Sequence, residues 1–346
     1  MLRRTSLALI AASLASAVFA ADPETVDSKV WGSGASLQPP TWLDAKQVLF
    51  LTSPFFKVNE QLRALAIWEV DGKARVYRDN VNYYCYRDGT ITYKALDPAD
   101  KGLVRGTWYV GSLGNERVVR KDAGNDLARL YDPINCKFAS SQELQDKRPN
   151  RGTLPLLEKH GFLDLRAAQG PGAPPNAPVQ FVRADRTAVK MPFASREFNV
   201  GIAYYEFAGA YLIRSIYFDE NKRAVVFPWP ADKERPLWML KPDGTVTQQE
   251  FPKGPWIGRD DPGVYATRAG LVVVRHGGIF DKTDGVYLAE GNNVRHLLVG
   301  RAGPVGVSPD GCSIAFTHAP SVDADVEDVK ENRRTLKVMR LCASNP

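Results

Sequence analysis

Two short segments of the chain hold residue types that could bind or transform a ligand. The first combines three aromatic faces with a cation, in Tyr83, Tyr84, Tyr86 and Arg87 around Cys85. Aromatic rings beside a guanidinium are typical of sites for sugars and anionic groups. Alternating aromatic residues on a strand also pack between sheets. Both interpretations stay open for this segment.

The second segment is Arg275 and His276, which follow the apolar stretch 271–274 and precede two glycines. If that stretch is an inner strand of a radial fold, its end places both side chains at the rim of a central funnel. The competing interpretation is a solvated strand end followed by a glycine turn. A histidine acts as a general base only where geometry brings it to a substrate proton, and the sequence alone does not give that geometry.

No sequence signature of catalysis is present. The chain lacks a G-x-S-x-G elbow, an H-E-x-x-H helix and a P-loop. Its four histidines are dispersed, and no cysteine lies at a zinc-like spacing from one of them. The acidic stretch 323–328 fails the calcium-loop template, because the glycine position holds Asp328 and the twelfth position holds Arg334. We therefore predict no catalytic residues, no metal and no cofactor.

The N-terminus has the three-part pattern of a secretory signal. Arg3 and Arg4 precede the uncharged stretch 7–19, and Ala20 fits a cleavage site. The stretch is shorter than the roughly 20 residues that span a bilayer, so we expect no transmembrane segment after cleavage and a periplasmic or secreted protein. Cleavage lowers the formal charge from +6 to +4. This small excess does not predict nucleic-acid binding, and it leaves envelope proteins or polysaccharides as candidate partners.

Four cysteines in an exported chain predict disulfides. Proximity in the sequence favours the pairs Cys85–Cys136 and Cys312–Cys342. Cys312 opens one apolar strand and Cys342 closes another, so antiparallel pairing of these strands brings the two Cβ atoms within bridging reach.

The remainder of the sequence predicts an all-β protein built from repeated hairpins. Short Val-, Tyr- and Trp-rich strands flank Asp-Gly or Gly-Asn turns, as at Asp71-Gly72 and Asp243-Gly244. Only residues 154–168 offer a short helix, with Gly161 as its terminator. About six four-stranded units begin near residues 42, 82, 124, 198, 263 and 304.

This repeat predicts a β-propeller of about six four-stranded blades over residues 42–346, after a signal peptide at 1–20 and a segment at 21–41. A Gly/Pro loop at 169–178 and an extra hairpin near 219–221 interrupt the repeat. The last unit is one strand short, and a strand near residues 29–32 could close the ring. The alternative is two β-sandwich-like domains joined by residues 168–178.

The final unit carries the most specific pattern. Ser308-Pro309-Asp310-Gly311 is followed by Ile314-Ala315-Phe316. This stretch resembles the S-P-D-G-x-x-I-A-F signature of the TolB-type, WD-like propeller repeats of bacterial envelope proteins. The resemblance covers about a dozen residues of one blade. It implies a tight turn between the two innermost strands and an Ile-Ala-Phe segment packed between neighbouring blades.

Two functions follow as hypotheses. A repeat scaffold without a catalytic signature, together with the TolB-type resemblance, predicts an exported, non-catalytic binding or protein-interaction module. The alternative is a propeller enzyme, a lyase or hydrolase, that acts on an envelope or extracellular polymer through a central funnel. A convergent set of His, Tyr and Arg side chains at the funnel mouth would favour the enzyme.

Overall fold

The structure is a computed structural model. It describes residues 23–31, 38–52, 63–99, 105–121, 131–132, 136–138, 153–165, 178–194, 198–215, 217–219, 224–226, 229–257, 261–275, 281–291, 293–321 and 334–342. The predicted signal peptide, the acidic stretch 323–328 and most of the Gly/Pro loop lie outside these residues.

The described residues form six sheets of four or five antiparallel strands, numbered here in chain order, and two isolated hairpins. Strand β1 is Glu24–Trp31. Sheet 1 contains β2 (Thr41–Trp42), β3 (Gln47–Thr52), β4 (Ala64–Glu69) and β5 (Ala74–Arg78). Sheet 2 contains β6 (Val81–Arg87), β7 (Thr90–Leu96), β8 (Gly106–Ser112) and β9 (Asn115–Arg120). A hairpin follows, of β10 (Tyr131–Asp132) and β11 (Lys137–Phe138).

Sheet 3 contains β12 (Thr153–Pro155), β13 (Gly161–Asp164), β14 (Pro178–Arg183) and β15 (Ala188–Ala194). Sheet 4 contains β16 (Phe198–Tyr205), β17 (Ala210–Ser215), β20 (Pro236–Leu240) and β21 (Val246–Glu250), with the hairpin β18 (Tyr217–Asp219) and β19 (Ala224–Val226) inserted before β20. Sheet 5 contains β22 (Gly263–Thr267), β23 (Gly270–Arg275), β24 (Gly285–Glu290) and β25 (Asn293–Val299). Sheet 6 contains β26 (Arg301–Ala302), β27 (Gly306–Val307), β28 (Ser313–Ala319), β29 (Thr335–Arg340) and, paired with β29, β1.

The turns explain why these strands pair with their chain neighbours. Asp88 and Gly89, between β6 and β7, both have positive φ angles of 48° and 76°. Two successive positive φ angles match the twist of the flanking strands, which is why Asp-Gly favours a tight hairpin. Each sheet is therefore a local up-and-down meander, apart from the return of β1 to sheet 6.

Sheets 1, 4, 5 and 6 each bury their two faces against two different neighbours. In β3, Val48 and Phe50 join a core with sheet 6, whereas Leu49 and Leu51 join a core with sheet 2. Further cores join sheets 3 and 4, 4 and 5, and 5 and 6. A strand alternates its side chains between its two faces, so alternating apolar residues fill both cores. A two-sheet sandwich buries one face of each sheet; burial of both faces in these four sheets is consistent with a propeller.

Sheet 6 has the geometry that the Ser-Pro-Asp-Gly pattern implies. Residues 308–311 form the turn between β27 and β28, and the Ser308 hydroxyl donates to the Asp310 carboxylate at 2.5 Å. Ile314 and Phe316 pack towards sheet 5, and Ala315 packs towards sheet 1. The segment therefore lies between two neighbouring sheets, as expected.

The sequence prediction for residues 154–168 is wrong. Within the described residues 153–165 no helix forms: β12 and β13 are strands, joined by a turn. Gly161 begins β13 with a φ of 114°, and a Cβ there would lie 2.0 Å from the carbonyl oxygen of Val182. Close backbone approach to β14, together with burial of Leu163 against the core shared with sheet 4, selects a strand over the helical pattern. The third unit also begins later than predicted, near residue 153, whereas the extra hairpin of sheet 4 is confirmed.

Both predicted disulfides are confirmed. Cys85 is bonded to Cys136 and Cys312 to Cys342. The second bridge joins the start of β28 to the end of β29, which pair antiparallel. Among the described residues, no helix is long and apolar enough to cross a membrane.

Candidate functional site

One end of the molecule is formed by the turns between the first and second strands of each sheet; we call it the turn end. The turns of sheets 4, 5 and 6 contact one another there. The amide of Arg268 donates to the carbonyl of Gly311 at 2.9 Å, and a Cβ on Gly311 would lie 2.6 Å from the Phe207 ring. Contact between sheets 4 and 6, which are not chain neighbours, is expected where radial sheets converge.

A hydrogen-bonded pair lies at the turn end of sheets 3 and 4. His160, in the turn between β12 and β13, has its Nδ1 2.8 Å from the hydroxyl of Tyr211 on β17. The Leu157 amide donates to the same hydroxyl at 2.9 Å. Tyr204 of β16 completes the cluster, with ring centroids 5.2 Å from His160 and 4.9 Å from Tyr211.

The hydrogen bonds of Tyr211 are compatible with one neutral tautomer of His160 in particular. The tyrosine oxygen accepts from the Leu157 amide, and its own proton can be donated to Nδ1 of His160. In that tautomer the imidazole proton lies on Nε2, which is then a donor. Burial and the nearby Lys159 charge lower the pKa of His160, and burial raises the pKa of Tyr211 to about 12. Both groups are therefore neutral near pH 7.

Arg87 brings a cation to this cluster from another sheet. It ends β6 of sheet 2, and its positive charge acts on Tyr211 of sheet 4, where it opposes the rise in pKa. Its Nε is buried and has no hydrogen-bond partner among the described residues. A buried guanidinium N–H without a partner is costly. We call Arg87, His160, Tyr204 and Tyr211 the mouth cluster.

The aromatic segment of β6 divides between two faces of sheet 2. Tyr84 is fully buried in the core with sheet 1, where its hydroxyl donates to the Leu49 carbonyl at 3.0 Å. Tyr86 is half-buried against the same core. Tyr83 and Arg87 lie on the opposite face, where Tyr83 packs edge-on against Trp108 at 5.7 Å. Of the four predicted binding residues, Arg87 is the one placed in the mouth cluster.

Arg275 lies at the opposite end of its sheet from the turn end. It is the last residue of β23, the second strand of sheet 5, and 3 % of its surface is exposed. Its guanidinium lies 3.0 Å from Asp281 and 3.1 Å from Asp284. These carboxylates fix a buried ion-pair network in the loop before β24. His276 lies outside the described residues.

The sequence did not single out His160, Tyr204 or Tyr211. His160 lies in sheet 3, more than forty residues before Tyr204 and Tyr211 of sheet 4, and in the sequence it is one of four dispersed histidines. The signal that could have found the site is the pair Tyr204 and Tyr211, which flanks a short segment ending in Gly209 and lies on paired strands.

No metal-binding group of three or more His, Cys, Asp or Glu side chains occurs within the described part of the chain. The arrangement can offer a ligand one cation, one neutral imidazole donor and a tyrosine ring face.

Comparison with known proteins gives the following. No family model matches the chain, and no curated protein matches it. Among solved structures, a luciferin-regenerating enzyme is 9 % identical, with 92 % of this chain and 95 % of that one covered and a TM-score of 0.39. The β-propeller domain of the trilobed protease from Pyrococcus furiosus is 11 % identical over 84 % of this chain and 66 % of that one, with a TM-score of 0.28. An acylaminoacyl peptidase from Pyrococcus horikoshii is 14 % identical over 70 % and 36 %, with a TM-score of 0.33.

Proposed function

We propose that this chain is an exported six-bladed β-propeller, closed by β1, that binds an acidic group of an envelope component at its mouth cluster without catalysing a reaction. The six sheets are its blades, and the TolB-type resemblance of the sixth blade fits an envelope role. The observation that carries the proposal is the convergence of Arg87 and the His160–Tyr211 pair from different sheets at the turn end.

Closure is supported by contacts between the first and last sheets. The Trp42 indole N–H donates to the Gly306 carbonyl at 3.0 Å, and β1 pairs with β29 from Glu24 to Trp31. The N-terminal strand thus supplies the outermost strand of the blade that holds the C-terminal strand. Such an exchange covers an edge that would otherwise stay open.

Export is supported by the two disulfides, because such bonds persist in oxidising compartments. The N-terminal signal pattern points the same way.

The preference for binding over catalysis rests on the tautomer in which Tyr211 donates to His160. In that tautomer the Tyr211 hydroxyl occupies the Nδ1 lone pair and Nε2 is protonated, so His160 has no lone pair directed at a substrate proton. In this state His160 donates a hydrogen bond and Arg87 supplies a charge. A carboxylate accepts from both, and a charge-assisted bond of this kind contributes about 1.5–3 kcal/mol.

The binding test uses the mature protein and uronate polymers. Isothermal titration with alginate or polygalacturonate should show binding, and neutral dextran should show none. Arg87→Gln should weaken binding about ten- to a hundred-fold, while Arg117→Gln, which removes the same charge from the outer strand β9, should leave it unchanged. Equal effects of both substitutions, or no uronate binding by a folded protein, would contradict the proposal.

The enzyme alternative rests on the same convergence of His, Tyr and Arg. If His160 exchanges its tautomer during a reaction, the cluster could abstract a proton beside a carboxylate that Arg87 neutralises. Ultraviolet absorbance of unsaturated chain ends during incubation with the same polymers would detect a lyase. Sustained turnover that His160→Gln abolishes would replace the binding proposal with this one.

A further inference from the structure

A cavity lies on sheet 4, away from the mouth cluster. It is bounded by residues 229–235, which lead into β20, and by residues 250–257, which follow β21. Its volume is about 160 Å³. Pockets for drug-sized ligands span roughly 300–1,000 Å³, so this cavity accommodates one ring rather than an extended ligand.

Two tryptophans line the cavity with ring carbons rather than with their polar edges. The Trp229 indole N–H donates to the Lys233 carbonyl at 3.1 Å, and that of Trp256 donates to the Pro252 carbonyl at 2.9 Å. Trp256 is buried, and its position depends on Gly254, where a Cβ would lie 2.4 Å from the ring. Trp229 is half-buried and presents the more accessible aromatic surface.

Arg235 supplies the polar element of the cavity. It is 8 % exposed, and its guanidinium carbon lies 4.1 Å from the Phe251 ring centroid and 5.2 Å from that of Trp229. Asp261 forms an ion pair with its Nη2. Its Nε is buried and has no hydrogen-bond partner within the described part of the chain. The Phe251 and Trp229 rings, which pack on the guanidinium, hold the Arg235 side chain in place.

Each of the three cations at the cavity has an anion beside it. Besides Arg235 with Asp261, Lys233 lies 3.0 Å from Asp232, and Lys253 lies 3.0 Å from Glu250. Glu234 adds a further carboxylate to the lining. The site therefore does not select an anionic ligand, and we take its ligand to be neutral.

We propose that this cavity binds one neutral pyranose ring, stacked on Trp229, with a ring hydroxyl oxygen accepting from Arg235. Aromatic faces bury the C–H face of a sugar, and a guanidinium in a fixed plane donates to its hydroxyls. A proline or aromatic side chain of a peptide would cover the same ring but carries no hydroxyl oxygen to accept from the Arg235 guanidinium. A sugar ring can both cover the Trp229 ring and accept a hydrogen bond from Arg235.

The test uses the mature protein and four neutral tetrasaccharides, from cellulose, starch, chitin and mannan. Saturation-transfer NMR should detect at least one of them, and titration calorimetry should give its affinity. Trp229→Ala should lower that affinity at least tenfold, whereas Trp229→Phe, which keeps a ring, should retain most of it. Arg235→Gln should also weaken binding, with circular dichroism confirming that each variant is folded.

The mouth variant Arg87→Gln should bind the sugar as the parent protein does, which separates this proposal from the one for the mouth cluster. Three results would overturn it: no tetrasaccharide binds the folded protein, Trp229→Ala binds as tightly as the parent, or a proline-rich peptide binds at Trp229 in place of the sugars.

Discussion

Replacing Gly306 by alanine tests the closure of the ring at its narrowest contact. A Cβ at this position would lie 1.8 Å from the carbonyl oxygen of Pro40 and 2.8 Å from its carbonyl carbon. Both are backbone atoms, so the neighbour cannot rotate away as a flexible side chain would. Segment 38–42 must therefore move, and with it the Trp42 indole that bonds to Gly306.

The cost has two parts. Overpacking a filled contact costs about 1–3 kcal/mol, and loss of the Trp42 hydrogen bond costs about 1 kcal/mol. We expect Gly306→Ala to lower the free energy of unfolding by about 2–4 kcal/mol, measured by urea denaturation followed by tryptophan fluorescence. The matched control is Gly72→Ala, in a turn within sheet 1, where the nearest atom lies at 3.2 Å and the expected cost is below about 1 kcal/mol.

The difference in unfolding free energy between the two variants decides whether sheets 1 and 6 are in close contact at Pro40. If Gly306→Ala unfolds at the same urea concentration as Gly72→Ala, sheets 1 and 6 are not pressed together at Pro40. The proposed closure of the ring and the assignment of one turn end shared by the sheets would then both lose their main support.

Three further predictions concern stability. Replacing Cys312 and Cys342 by serine opens a loop with a separation of 30 residues, and the loop-entropy relation gives a loss of about 3–4 kcal/mol in urea denaturation without reductant; an unchanged midpoint would contradict it. His318 is 1 % exposed, and burial lowers its pKa to about 4; because the unfolded chain takes up this proton first, stability should fall by up to about 3 kcal/mol from pH 6.5 to pH 4. His318→Gln should flatten that pH dependence, while the same change at the exposed His296 should not. Gly161→Ala should cost several kcal/mol or prevent folding, since its Cβ meets a backbone carbonyl of β14 at 2.0 Å. An unchanged thermal midpoint would contradict the close approach of β14 to Gly161 and favour the helix that the sequence predicts.

The sequence predicted the features that depend on local chemistry. Asp-Gly turns, alternating apolar strands and the positions of Cys312 and Cys342 at strand ends are properties of short segments, and the structure contains all of them. The helix predicted for residues 154–168 failed because its apolar spacing is satisfied equally by two short strands. The deciding factor, the approach of β14 to Gly161, comes from residues about twenty positions away.

The mouth cluster could not be predicted for the same reason. Arg87 and Tyr211 lie on sheets 2 and 4, and the charge of Arg87 acts on Tyr211, a relation between distant segments that no local pattern contains. The sequence did identify Arg87 as one of a cluster, but it assigned the tyrosines around it to the same site. Alternation along β6 instead directs Tyr84 towards sheet 1, away from the face that carries Arg87.

A physical reason favours the ends of the first strand of each sheet as the place for binding groups. Polar groups in the inner strands are used to join neighbouring sheets: Tyr84 donates to the Leu49 carbonyl of sheet 1, and Tyr265 accepts a backbone hydrogen bond from Val305 of sheet 6. Each such bond satisfies a buried hydroxyl, and none of these hydroxyls remains to meet a ligand. Arg87 ends its strand, beyond these two contacts, and its Nε is one of several buried donors without a hydrogen-bond partner among the described residues, the Nε of Arg235 being another. A ligand that accepts from the Arg87 guanidinium adds a hydrogen bond at the turn end without displacing either of these inter-sheet contacts.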